Sequence, residues 1–130
     1  MALIATRKPV ISNVVKHEYA TEHGFCRETA TVNITAGGDI TVGSVLGKVT
    51  STGAYTYHDP SANDGSEVAA AVAIENKTAA AATDTEVSVI VRGPAILRKG
   101  GLVWDNGQDA TAQAAAIAEI EALGIVVRQV

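Results

Sequence analysis

The chain has 130 residues, 47% of them apolar but only 4% aromatic, and a net charge of −4. That length suits one domain burying about two-thirds of its unfolded surface, with a core of Ala, Val and Ile that gains less per residue than aromatic packing. An acidic body without clustered Lys and Arg excludes nucleic acid as a partner, and no stretch reaches the roughly 18 apolar residues of a membrane span.

The charge is unevenly spread. Residues 1–36 set Arg7, Lys8, Lys16 and Arg27 against Glu18, Glu22 and Glu28, so the acidity resides in the remainder. Cys26 is the single cysteine and cannot form an internal disulfide, which fits synthesis in a reducing cytoplasm. The opening "MALIATRKPV" has too short an apolar run, with charge on the wrong side, to be a signal peptide. A core built from small pieces makes support from an oligomer or partner expected.

Residues 1–28 show no clean period. Val10, Ile11, Val14 and Val15 favour β structure, but Pro9 and the charged "KHEYATEH" interrupt them. Two readings stand side by side: an arm that orders only against another surface, or an edge strand of the domain. Ordering costs about 1–2 kcal/mol per residue, and burying one Val or Ile returns only about 1.5–3. Four such residues could not hold some 25 in place on a lone monomer, which favours the arm. The expected division is therefore an N-terminal arm over 1–28 and a β-rich domain over 29–130.

"TATVNIT" alternates, with Ala30, Val32 and Ile34 on one side, and predicts a half-buried strand. "AGGD" turns the chain, and "ITVGSVLGKVT" reads as one strand whose Gly43 and Gly47 mark bulges or close backbone approach. "STG" predicts a hairpin into "AYTYH". In "EVAAAVAIE", Val68, Ala70, Val72 and Ile74 fall on one face and Ala69, Ala71 and Ala73 on the other, so both faces of the strand admit close neighbours. The alanine face suits another layer or another subunit. "TEVSVIVRG" is a strand with Val87, Val89 and Val91 in register, and "GPAILRKGGLVW" continues extended. Asp109 then caps a helix with Ala114, Ile117, Ile120 and Leu123 along one side, Gly124 provides its left-handed end, and "IVVRQV" closes as a strand. The fold class is α+β, mostly β: a small barrel-like or sandwich-like domain with one C-terminal helix and an extended N-terminal arm.

No reactive constellation emerges. "GSVLGKVT" has three residues between its glycines and Val49 after Lys48, so it fails the spacing and the hydroxyl of a phosphate-binding loop. Gly38-Asp39 resembles the turn of biotinyl and lipoyl carrier domains, yet no lysine stands at the following tip. His17, His23 and His58 lack metal-ligand spacing. "YHDPSANDGSEV" holds a histidine and three acids, but Asp59-Pro60 and Asn63-Asp64-Gly65 are turn signals and the stretch reads as a solvated loop. Cys26, near His17 and His23, lacks an orienting group and reads as a spare surface thiol. Glu119 and Glu121 read as a solvated helix side. The protein is expected to be no enzyme and to need no cofactor or metal.

From Gly43 to Trp104 the ordered series of a Val/Leu-rich strand, a "TG-x-Y" turn, the Asp-Gly loop, an alanine-rich strand, a Thr/Asp-rich connector and "V-x-V-x-V-R-G-x-A" resembles the lambda-type head decoration proteins of tailed phages. That resemblance implies homotrimers outside the expanded head, at three-fold and quasi-three-fold positions, clamping the major capsid protein and stabilising the shell of the virion. It also implies an N-terminal segment that docks on the capsid. Within it the candidate contact residues are Val10, Ile11, Val14, Val15, Tyr19 and Phe25. A small carrier or binding domain is the alternative.

Overall fold

The computed structural model describes residues 10–20, 24–105 and 108–129. A 3-10 turn at Ile11–Asn13 leads into strand β1 (Val15–Glu18), followed by β2 (Arg27–Val32), β3 (Gly38–Ile40), β4 (Val45–Lys48) and β5 (Tyr55–Tyr57). Strands β6 (Ala69–Ala73), β7 (Lys77–Ala79), β8 (Thr85–Ile90) and β9 (Ala95–Arg98) come next. Helix α1 (Ala110–Glu121) and strand β10 (Ile125–Arg128) complete the chain. Five strands close a barrel in the order β2-β5-β4-β6-β8. A three-stranded sheet, β1-β9-β10, stands apart from it, and β3 pairs with β7 as a small ribbon. The mostly β, barrel-containing fold with one C-terminal helix is the one expected.

The barrel's alternation creates two cores. Residues pointing inward, Ala30, Val32, Leu46, Ala71, Ala73, Val87 and Val89, fill its interior together with Ile34, Ile40 and Ala79. Their neighbours on the same strands, Val45, Val72 and Ile90, point outward and meet Val14, Leu97, Ile120 and Ile125 from the sheet and helix. Strand β6 is thus sandwiched, as its two small faces allow. Its alanine face is turned into this chain's own interior, however, with Ala71 and Ala73 both 0% exposed, and does not face another subunit. The alternation is also broken at one end. Pairing slips between Leu46 and Gly47, so Ala69 joins the outer core while Val68 is left exposed.

Gly47 shows why the slip occurs. A Cβ there would sit 2.4 Å from the Ser66 carbonyl oxygen, so the 58–68 loop crosses directly over the bare backbone. The hairpin is as expected, β4 pairing antiparallel with β5 from Leu46↔Tyr57 to Lys48↔Tyr55. The single long strand expected over 40–50 is instead two. Between them the Thr41 N–H bonds Ser44 Oγ and the Ser44 N–H bonds the Thr41 carbonyl, turning the chain from β3 into β4. The connector 75–84 contains the strand β7, paired from Gly38↔Ala79 to Ile40↔Lys77. Helix α1 starts as read: Asp109 Oδ1 accepts from the Ala112 N–H at 2.8 Å. Beyond its C-cap at Ala122, Gly124 takes the left-handed conformation, with φ +87°, in the turn that leads to β10. The core-facing side of the helix holds Ile117, Ile120 and Leu123 as expected, together with Ala116, while Ala114 faces solvent.

Candidate functional site

Two polar stretches stand out as candidates, residues 10–28 and residues 57–68. In the first, the edge-strand reading describes what residues 15–18 do. Strand β1 pairs antiparallel with β9 through Val15↔Leu97, His17↔Ile96 and Glu18↔Ala95, with a bulge between Val15 and His17. Val14, just before it, is 0% exposed and packs in the outer core. Pairing with β9 supplies backbone hydrogen bonds that hold these residues where four aliphatic side chains alone would not.

Charge helps seat the strand. Glu18 is buried and its carboxylate receives Arg27 Nε at 3.0 Å on each oxygen, so β1 is tied to the start of β2 by a charge-assisted fork. That hydrogen bond holds the Arg27 guanidinium above its ordinary pKa, against the opposing cost of partial burial. Cys26 is 0% exposed and no surface thiol: its Sγ–H lies 3.4 Å from the Pro94 carbonyl and 3.7 Å from that of Tyr19, which carries the chain inward between β1 and β2. A boundary at 28/29 therefore cuts through packed structure. Residues 1–9 and His23 lie outside the described residues.

The six candidate contact residues separate by burial. Val14 is wholly enclosed, and Ile11 and Val15 lean on the outer core. Val10, Tyr19 and Phe25 are exposed by 48%, 55% and 46%. Tyr19 and Phe25 meet edge to face with centroids 5.5 Å apart, and the Arg92 guanidinium lies 5.9 Å over the Phe25 ring. Arg92 also bonds the Phe25 carbonyl at 2.6 Å and pairs with Glu28. Two of five aromatic residues thus stand in solvent on a braced corner, where burial of either ring against a partner would gain area at little ordering cost.

The second stretch is braced differently. Asp59 Oδ1 accepts from Ser61 N–H at 3.0 Å and Oγ–H at 2.7 Å, and Asp64 Oδ1 accepts from Ser66 N–H at 3.0 Å and Oγ–H at 2.6 Å. These bonds hold both carboxyls below their ordinary pKa. The acids make turns, as expected. His58 departs from the solvated reading: it is only 2% exposed. Its Nε2 lies 3.0 Å from the Glu67 carbonyl, and its Nδ1 lies 2.7 Å from Gln108 Nε2. A carbonyl on one side and an amide donor on the other select the neutral tautomer with hydrogen on Nε2.

Glu119, read as a solvated helix residue, takes part in the same junction. Its Oε1 accepts from the Ala69 N–H at 3.0 Å and stands 3.7 Å from His58 Nε2. Gln113 Nε2 donates to the Gln108 carbonyl at 2.8 Å. The junction fastens loop, β6 and helix to one another. It offers neither a nucleophile nor an open cleft, and among the described residues no three His, Cys, Asp or Glu side chains converge to hold a metal ion. Gly38-Asp39 belongs to β3, with Thr78 Oγ1 bonded to Asp39 at 2.9 Å, so the carrier-like turn is a paired ribbon with no presented tip.

What the molecule presents to partners is therefore surface: an aromatic corner and a small open sheet. No curated protein matches the chain significantly. The model of the family of bacteriophage lambda head decoration protein D matches residues 8–125, nearly the whole length, from ahead of β1 through helix α1 to the first residue of β10. The chain belongs to that family, structural proteins that decorate the phage capsid.

Proposed function

We propose that the protein binds the outside of the expanded phage head as homotrimers, at three-fold and quasi-three-fold positions, where it grips the major capsid protein and stabilises the shell. It is made in the host cytoplasm and acts on the virion. The contact residues are Val10, Tyr19 and Phe25, with Ile11 and Val15 supporting them from behind and Val14 anchoring the segment to the body. The observation that carries this reading is the exposed Tyr19–Phe25 pair, with the Arg92 guanidinium over the Phe25 ring, in a family of head decoration proteins. Exposed rings of this kind match the aromatic anchors that dominate protein interfaces. A trimer would present three such corners at once, and after the first docks the others bind at high effective concentration.

The test mixes purified protein with expanded empty heads and with unexpanded proheads, and measures occupancy and heat resistance. Binding that is selective for expanded heads and raises their resistance to heat is the expected result, with light scattering giving three times the monomer mass. Tyr19→Ser with Phe25→Ser should lower occupancy at least tenfold while leaving the melting curve unchanged. Equal binding to proheads, or full binding by the double variant, would overturn the respective part.

A further inference from the structure

We propose that the outward face of the β1-β9-β10 sheet is a second docking surface, and that its occupant is an acidic patch of the capsid shell. This rests on the capsid-binding reading above and names the chemistry of the surface bound. The register decides which side chains face out. Val15, Leu97 and Val127 share one row and Glu18, Ala95 and Ile125 another, and both rows turn toward the outer core. The rows between them face away: His17, Ile96 and Val126 side by side, and next to them Arg98 beside Arg128. Val126 is 38% exposed, and His17 and Arg128 are exposed. Lys16 stands in the β1 bulge and Lys99 directly after β9, both exposed.

The face is thus an apolar strip bordered by cations. Among the described residues these three strands place no acid on it, since Glu18 points inward to Arg27. That is notable in a chain of net charge −4, whose acids lie mainly beyond residue 36. Arg98 and Arg128 stand level on neighbouring strands and add two more positive charges to this side. Tyr19 follows β1 directly and its N–H bonds the Pro94 carbonyl just before β9, so the face continues into the aromatic corner. This continuity favours the shell over a second copy as the occupant. The polarity of charge would also orient each subunit with this side down.

The experiment measures occupancy of expanded empty heads from low to high salt, for the wild type, for Lys16→Glu with Arg128→Glu, and for Asp84→Lys at an exposed turn of the barrel. Wild-type occupancy should fall as salt rises. The double reversal should weaken low-salt binding about tenfold or more, and Asp84→Lys should leave it within about twofold. If the reversal disturbs folding, Lys16→Gln with Arg128→Gln should show a smaller loss in the same direction. Unchanged binding by the reversed protein overturns the proposal. So does a changed assembly mass in light scattering, which would assign the face to a neighbouring copy. Failure of the wild type to bind heads at any salt would instead remove the capsid-binding reading itself.

Discussion

Residues 10–28 and 57–68 are alike in composition, polar and broken by turn residues, yet they are fastened to the body by opposite means. The first is held by apolar insertion: Val14 and Cys26 vanish from solvent and β1 pairs with β9. The second is held by polar bonds, with His58 enclosed between the Glu67 carbonyl and Gln108 and with Glu119 beside it. The difference teaches that a polar stretch can be integral to a fold through a single buried member. The chemistry of that member then sets how it fails. Loss of an aliphatic anchor leaves a void, whereas loss of a histidine leaves donors and acceptors without partners.

The strongest way to break the comparison is to remove residues 1–28. Because β1, Val14, Cys26 and the first turn of pairing between β2 and β8 go with it, the truncated chain should fail to show a cooperative melt by circular dichroism. A remainder that melts like the parent would return β1 to the status of an appendage. Next in size, Val14→Asp buries an unpaired charge and should cost at least about 3 kcal/mol in urea unfolding, while Val14→Ala should cost about 2. His58→Ala should destabilise by about 2 kcal/mol, since the Glu67 carbonyl loses its partner and Gln108 Nε2 keeps only the backbone carbonyl of residue 58. His58→Asn, which keeps a donor and an acceptor, should recover part of this. Equal losses for Ala and Asn would mean that the imidazole acts by volume alone.

How much of this was legible follows from where the information resides. The barrel strands were readable because Ala30, Val32 and Ile34, and Val87 and Val89, alternate over enough residues to fix a period. The helix was readable from its ends, Asp109 and Gly124, better than from its face. A run as alanine-rich as "ATAQAAAIA" carries little directional signal: Ile117, Ile120 and Leu123 do face the core, but among the alanines it is Ala116 and not Ala114 that is buried. Strand β1 was only one of two readings, because four residues whose one fully buried member is a glutamate give no apolar period, and its partner is some 80 residues distant. Long separation in sequence, 50 residues from His58 to Gln108, likewise hid the junction of His58 with Gln108 and Glu119. Nothing local distinguishes a histidine that a remote helix will cover from one left in water. The aromatic corner was half legible: Tyr19 and Phe25 were named, but only the fold separates them from Val14.

Two smaller effects sharpen the contrast on the side of the loop. Gly47→Ala would press a methyl group into the Ser66 backbone and should cost about 1–3 kcal/mol, with the chemical-shift changes concentrated in 58–68 and absent from 10–28. Ser66→Ala should return the Asp64 carboxyl toward its ordinary range in an NMR pH titration. The sign follows from linkage: a carboxyl held low by its hydrogen bonds adds stability above its unfolded pKa, and this is lost as pH falls through the folded value. An Asp64 titration unchanged by the substitution would show that those bonds are not maintained in solution.

The sheet's mixed pairing has a mechanical corollary. Because β1 runs against β9 and β10 runs with it, Val15 and Val127 both lie level with Leu97, and the chain enters and leaves at one end of the sheet. Tension drawing those two ends apart acts across the strands and opens them pair by pair, the way a zip parts, instead of loading all the bonds together. A fastener built like this is weak when tugged by its own tails, so a durable grip has to pass its load through the flank of the body.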